Sequence, residues 1–167
     1  MELKLLFDSN GPVGMFRAAR AEGIEALRRE LRGRRDRGPE APHETPLLGS
    51  GVDFAITLDE RPLAGVVRET VVDAVQSLMP YSRQNRELIF TRLQRLGRFP
   101  MKFLILEGRF VQNLRHLEPA IYGVMYWCYR NGIFVLHTPD MGGTATAVIV
   151  LFRRLQISRA EADCWKA

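Results

Sequence analysis

The chain has 167 residues, 46% of them hydrophobic, and a formal net charge of +5. This length predicts one domain with a sizeable core, and no apolar run reaches the roughly 20 residues of a membrane span. Two cysteines and three histidines lie far apart without metal-ligand spacing, which argues against a zinc site or a disulfide framework. No signal peptide is recognised, so we expect an intracellular protein of the cytoplasm, nucleoid or nucleus. The arginine-rich charge favours a polyanionic partner such as nucleic acid.

Apolar periodicity along the chain predicts alternating strands and helices. The predicted strands span 3–7, 52–58, 63–69, 101–108 and 132–138, and the predicted helices span 12–32, 70–79, 83–96, 118–130 and 143–155. The strands 52–58 and 63–69 form a predicted hairpin. The polar segment 33–47 is predicted to be a mobile loop, and 159–167 a C-terminal tail. Together these elements predict one α/β domain over 1–158, with a mixed central sheet flanked by helices.

Carboxylates gather at or near the predicted strand ends, where open α/β sheets usually place their chemistry. They are Asp8, Asp53, Glu69 and Asp73. Such a cluster can hold a divalent cation that polarises a phosphodiester and activates water. Strand alternation puts Glu69 on the face of Val67, where it can join Asp53, and turns Arg68 to the other face. The alternative is that Glu69 faces water or caps the following helix.

Five stretches of the chain carry a family resemblance. In chain order they read LLFDSN, GSGVDFAI, GVVRETVVDAVQSL, KFLILEG and GIFVLHTPDMGGTATAVIVLFRRL. In this order they resemble the nuclease domain of the XPF-type structure-specific endonucleases over nearly the whole chain. The resemblance implies a restriction-endonuclease-like fold. Members of this family carry a signature that reads, in chain order, Gly-Asp, a variable hairpin, Glu-Arg-Lys, three further residues and Asp.

The signature is altered at its chemical centre. In the family, the aspartate after glycine and the glutamate of the triplet bind the metal. Asp53 falls on that aspartate, with Val52 in place of the preceding glycine, and Asp73 falls on the downstream aspartate. Val67 stands for the glutamate and Glu69 for the lysine. Valine cannot coordinate a cation, and a carboxylate in place of an ammonium reverses the local charge.

Two interpretations follow from the altered signature. In one, Mg²⁺ or Mn²⁺ is held by Asp53, Glu69 and Asp73, supported by Asp8, and the protein cleaves phosphodiester bonds as an endonuclease. Glu107, at the end of the central strand, is a further candidate. In the other, the domain is a catalytically inactive nuclease-like subunit for DNA binding or dimerisation.

Arginines around the signature are candidates for contact with DNA phosphates, because a guanidinium can bind a phosphate through two hydrogen bonds. The candidates are Arg34, Arg35, Arg68, Arg83, Arg86, Arg92 and Arg95. The alternative is a solvated helix face. The resemblance implies branched, nicked or flap DNA as the substrate class.

Partner surfaces are suggested by two apolar stretches. No helix-hairpin-helix module fits after the last helix, so we expect a homodimer, or a heterodimer with a DNA-binding subunit. The stretch TATAVIVLF is a candidate dimer face, with packing onto the sheet as the alternative. The stretch YGVMYWCY can stack unpaired bases, but an apolar helix packed on the sheet explains it better.

Overall fold

The computed structural model describes residues 2–8, 13–29, 51–78, 89–109 and 117–164. Several predictions fall on other parts of the chain. The loop 33–47 lies outside the described residues, as do the candidate DNA-binding residues Arg34, Arg35, Arg83 and Arg86.

Six strands form one mixed sheet in the order β2-β1-β3-β4-β5-β6. The strands are β1 (Leu3–Asp8), β2 (Ala26–Arg29), β3 (Phe54–Leu58), β4 (Arg61–Thr70), β5 (Met101–Glu107) and β6 (Phe134–Thr138). The pairs β1–β2, β4–β5 and β5–β6 are parallel, whereas β1–β3 and β3–β4 are antiparallel. The predicted hairpin is therefore present, with Asp59 and Glu60 at positive φ in its turn.

Helices cover both faces of this sheet, as the sequence predicts. They are α1 (Val13–Ala21), α2 (Val71–Leu78), α3 (Ile89–Arg95), α4 (Glu118–Arg130) and α5 (Met141–Cys164), with a short 3₁₀ helix at Leu96–Arg98. Residues from α2, α3 and α4 pack on one face, and residues from α1 and α5 on the other. The predicted fold class, an α/β domain with a mixed sheet flanked by helices, is confirmed.

Alternation along β4 decides which residues reach each face. Val67 is buried in the cluster on the α2, α3 and α4 side, whereas Val66 is buried in the cluster on the α1 and α5 side. Continuing this alternation sends Glu69 toward the first side and Arg68 toward the second.

Two predicted elements are wrong in extent. The predicted helix 12–32 ends at Ala21, where Gly23 adopts a left-handed φ of 73°, and the chain then forms β2 beside β1. The final helix, predicted to end near 155, continues to Cys164. No helix in the described ranges has the length and apolar character needed to cross a membrane.

Candidate functional site

Asp53 lies at the edge of the sheet where β1 and β4 end, held by the backbone of both strands. The Asp8 N–H donates to the Asp53 carbonyl at 3.0 Å, and the Asp53 N–H donates to the Val66 carbonyl at 2.9 Å. The Arg68 N–H donates to Oδ2 of Asp53 at 2.7 Å. The backbone hydrogen bond makes Asp8 and Asp53 neighbours, and both residues are buried. Two of the predicted acidic residues therefore lie next to each other inside the fold.

Arg92 joins Asp53 to Glu69. Its Nη2 donates to Oδ2 of Asp53 at 2.7 Å, and its Nη1 donates to Oε1 of Glu69. The side chains of Arg92, Asp53 and Glu69 are only 11%, 5% and 13% exposed. The prediction that Glu69 lies on the same side as Asp53 is confirmed by this shared contact, but an arginine connects them. We call these three residues the Arg92 bridge.

The position of Arg92 follows from the pattern of α3. Ile89, Leu93 and Leu96 are buried, and Arg92 lies on the same side of the helix, three residues after Ile89 and four before Leu96. An arginine on an apolar helix face needs a buried anionic partner, because an unpaired buried charge is strongly destabilising. This spacing is the sequence signal that points to an internal ion pair.

The structure therefore does not place Arg92 on the open surface that its predicted role in DNA binding requires. Its guanidinium is turned inward because Asp53 and Glu69 bind it. Arg95, one turn further along, is exposed. It lies over Gly51, where an added Cβ would come within 2.4 Å of Cδ of Arg95. Among the predicted DNA-binding residues that the structure describes, Arg95 is the one with an exposed side chain.

A metal ion does not fit the residues that are present. The Arg92 guanidinium occupies the space between the two carboxylates, and Val67 is fully buried and offers no oxygen. Within the described ranges, no group of three or more His, Cys, Asp or Glu side chains is arranged to hold an ion. The predicted metal set of Asp53, Glu69 and Asp73 is thus not assembled in this geometry.

Asp73 forms part of a helix cap. The Asp73 N–H donates to Oγ1 of Thr70 at 3.0 Å, and the Thr70 hydroxyl donates to Oδ2 of Asp73 at 2.8 Å. Thr70 is the residue before α2 and Asp73 lies in its first turn, so the pair satisfies a free helix N–H and places a negative charge at the positive helix end. The structural role of Asp73 is therefore to stabilise the N-terminus of α2.

On the opposite face of the sheet, Arg68 binds Glu107. Its Nε donates to Oε2 of Glu107 at 2.8 Å and its Nη2 to Oε1 at 2.5 Å. Thr144 of α5 donates to Oε2 of Glu107 at 2.7 Å. Because a carboxylate only accepts, the Thr144 hydroxyl is left to accept from Thr138, 2.7 Å away.

This network has a clear electrostatic effect. The hydrogen bonds from Arg68 are the largest cause that holds the pKa of Glu107 below its usual value of 4.5, and Thr144 adds to it against the opposing effect of burial. Glu107 is therefore a carboxylate held in its charged form. The predicted DNA-binding residue Arg68 is engaged in this pair, and its side chain is only 23% exposed.

The two apolar stretches, in α5 and α4, differ in how much of their surface is buried. In α5, Ala145, Val148 and Phe152 are buried against the sheet, so most of the candidate dimer face TATAVIVLF is occupied. In α4, Ile121, Val124 and Cys128 are buried against the sheet. The tyrosines of the same helix point outward, with Tyr122, Tyr126 and Tyr129 at 60%, 63% and 77% exposure.

The sheet order and the helices on both faces define a mixed α/β fold. Solved structures that are similar over nearly the whole chain include two of the same protein. One is XPF from Aeropyrum pernix, with a TM-score of 0.66 and 19% identity over 97% of this chain and 69% of that chain. The other is XPF from Aeropyrum pernix in complex with DNA, with a TM-score of 0.61 and 22% identity over 95% of this chain and 66% of that chain.

These likenesses confirm the predicted XPF-type nuclease fold. No protein-family model and no curated protein sequence matches the chain. At this level of identity the likeness concerns the fold, so the chemistry must be argued from the side chains.

Proposed function

We propose that the chain is a DNA-binding domain that binds branched or nicked DNA and does not cleave it. The observation that carries this proposal is the Arg92 bridge. The carboxylate of Asp53, which falls on a metal ligand of the family signature, instead accepts hydrogen bonds from the Arg68 N–H and the Arg92 guanidinium. Val67, at the position of the second metal ligand, lies in the apolar core.

DNA as the partner is supported by charge and by fold. The chain carries a net charge of +5, and the exposed Arg95 lies one helical turn from the Arg92 bridge. One of the similar XPF structures is a complex with DNA. Arginine contacts with phosphates give binding that depends strongly on salt and little on base sequence. With such a partner we propose an intracellular location.

The competing function is divalent-metal-dependent cleavage with Mg²⁺ or Mn²⁺. It is favoured by one observation, which is that Asp53 and Glu69 lie close enough to share one guanidinium. Two carboxylates at that separation are a recurring ligand pair for such ions. For this function Arg92 would have to leave its place.

Cleavage is tested with end-labelled flap, fork, nicked and plain duplex DNA in the presence of Mn²⁺ or Mg²⁺. The wild-type chain and an Asp53→Ala variant are incubated side by side. We expect no product in any lane. Product that appears with the wild-type chain and disappears with Asp53→Ala would establish the competing function.

DNA binding is tested by fluorescence anisotropy with the same four DNAs over a range of salt concentrations. We expect wild-type binding to weaken steeply as salt rises, and Arg95→Ala to weaken it several-fold with a smaller salt slope. The matched control is Arg61→Ala, which removes an exposed arginine at the opposite end of β4. Equal losses for both variants, or no binding at low salt, would contradict the proposal.

We also propose that the exposed tyrosine face of α4, made by Tyr122, Tyr126 and Tyr129, packs against a second copy of the chain. This helix begins with Glu118 and ends with Arg130, and the residues between them are uncharged. A two-fold axis across α4 would place two such helices antiparallel. Glu118 of each copy would then lie beside Arg130 of the other, so the face complements itself in charge.

The oligomeric state is tested by light scattering coupled to size-exclusion chromatography. We expect a dimer for the wild-type chain and a monomer for Tyr126→Asp, because an aspartate in an apolar interface is costly to desolvate. Val150→Asp is the control, since Val150 is exposed on α5 rather than on α4. A wild-type monomer at the highest soluble concentration would contradict a homodimer.

A further inference from the structure

The Arg92 bridge concentrates charge where little water reaches it. Asp53 and Glu69 bring two negative charges from β4 and the segment before β3, and Arg92 brings one positive charge from α3. All three side chains are mostly buried. Two carboxylates in such a place repel each other and lose hydration, so a cation between them stabilises the folded state.

We propose that Arg92 has taken the place and the role of a divalent cation at this centre. It offsets part of the negative charge of Asp53 and Glu69 and ties α3 to the sheet, so the folded state of the centre does not depend on a metal. This inference concerns the same site as the proposed function and rests on its claim that the centre holds no metal. It adds that the centre holds Arg92 in place of a metal ion, and it predicts the effect of removing the Arg92 guanidinium.

The geometry supports this role because one guanidinium serves both carboxylates. A guanidinium offers five N–H donors in a planar fork, so Nη1 and Nη2 can each bind a different anion. In the structure Nη2 binds Asp53 and Nη1 binds Glu69, and Nη1 also lies 3.5 Å from the Arg68 carbonyl. A lysine ammonium is a single compact charge and could not occupy the site in the same planar way.

The position of α3 makes the bridge a mechanical link as well. Ile89 and Leu93 of this helix lie in the apolar cluster against the sheet. Arg92 is on the same side and reaches the end of β4. Loss of the guanidinium would therefore leave two buried charges without their shared partner and free one end of α3.

The test uses the full chain and measures stability and metal binding without DNA. Arg92→Met keeps an unbranched apolar stem but removes the charge. Arg98→Met is the matched control, because it removes an exposed arginine just after α3. In EDTA we expect thermal unfolding of Arg92→Met to shift down by roughly 10 °C from the wild-type chain, and that of Arg98→Met to stay close to it.

The second step adds millimolar Mn²⁺ to each protein. If Arg92 replaces a divalent metal ion, Mn²⁺ should raise the unfolding temperature of Arg92→Met, and electron paramagnetic resonance should detect Mn²⁺ bound to this variant. Neither change is expected for the wild-type chain or for the double variant Asp53→Asn/Arg92→Met. Should Arg92→Met not fold in EDTA, recovery of its fold by refolding in Mn²⁺ is the equivalent result.

Two results would overturn the inference. One is saturable Mn²⁺ binding by the wild-type chain as tight as that of Arg92→Met. The other is an Arg92→Met protein that Mn²⁺ neither stabilises nor refolds, since Arg92 would then be an ordinary ion-pair partner. An Arg92→Met protein that does not respond to Mn²⁺ overturns this inference alone, whereas Mn²⁺ binding by the wild-type chain also removes the claim on which it rests. DNA binding is measured separately and enters neither readout.

Discussion

Arg68 and Glu107 bind each other through two hydrogen bonds across the parallel strands β4 and β5, with Nε of Arg68 2.8 Å from Oε2 of Glu107. The pair lies on the sheet face opposite the Arg92 bridge. Arg68 and Glu69 are successive residues of β4, and each forms an ion pair on a different face of the sheet. The end of this strand is tied to both layers of the domain.

The first prediction concerns the pH dependence of this pair. Because Arg68 lowers the pKa of Glu107 in the folded state, folding favours the charged carboxylate. The stabilisation is therefore complete above the usual value of 4.5 and is lost as pH falls through the lowered value. We expect Glu107→Gln to lower the free energy of unfolding by about 2 kcal/mol at neutral pH, and the difference from the wild-type chain to shrink in acid.

Urea unfolding of both proteins over a series of pH values from neutral to about 3 checks this prediction. Glu22→Gln is the control, because Glu22 pairs with Arg153 on the exposed surface and such pairs contribute little. A difference between wild type and Glu107→Gln that does not change with pH would contradict the assigned role.

The second prediction concerns the start of α2. Thr70→Ala removes the hydroxyl that accepts from the Asp73 N–H and donates to its carboxylate. We expect a loss of about 1 kcal/mol in the free energy of unfolding. Thr70→Ser keeps the hydroxyl and should retain most of the stability in the same urea experiment, so an equal loss in both variants would argue against the cap.

The third prediction concerns close packing in β4. A Cβ added at Gly65 would lie 2.5 Å from Cδ2 of the buried Phe99, so Gly65→Ala must displace that ring. We expect a loss of about 1–3 kcal/mol, measured by denaturant unfolding. Gly97→Ala is the control, because nothing lies within 4 Å of the added Cβ. Its effect should stay within about 0.5 kcal/mol.

The fourth prediction concerns Cys128, which lies on the buried face of α4. Burial raises the pKa of its thiol to about 12, so the reactive thiolate is scarce at neutral pH. We expect iodoacetamide at about pH 8 to leave Cys128 unmodified in the folded chain and to modify it after unfolding in urea. Peptide mapping by mass spectrometry reads out this site. Rapid labelling in the folded state would contradict its burial.

The sequence predicted the central part of the sheet well because its strands are apolar and clearly bounded. Met101–Glu107 is a mostly apolar run that ends at Gly108, and Glu118–Arg130 matches the predicted helix in both bounds. The strand β2 was missed. Its residues, ALRR, have high helix propensity, and they form a strand because β1 offers a parallel partner more than 20 residues earlier.

The candidate site was predicted in part. Alternation along β4 placed Glu69 and Asp53 on one side and Arg68 on the other, and the structure agrees. The bridge itself was missed, because Arg92 is 39 residues from Asp53 and 23 from Glu69. Pairings over such distances depend on how α3 packs. The one local sign was an arginine among Ile89, Leu93 and Leu96 on the buried side of the helix.

The Arg92 bridge has a consequence for how related sequences should differ from this one. Residues 69 and 92 satisfy each other's charge in a place that excludes water, so a change at one is tolerated best when the other changes with it. In relatives of this chain we expect glutamate at position 69 to occur together with arginine at position 92. Where position 69 is a lysine, position 92 should lose its positive charge. An alignment in which the two positions vary independently would show that they evolve without this mutual constraint.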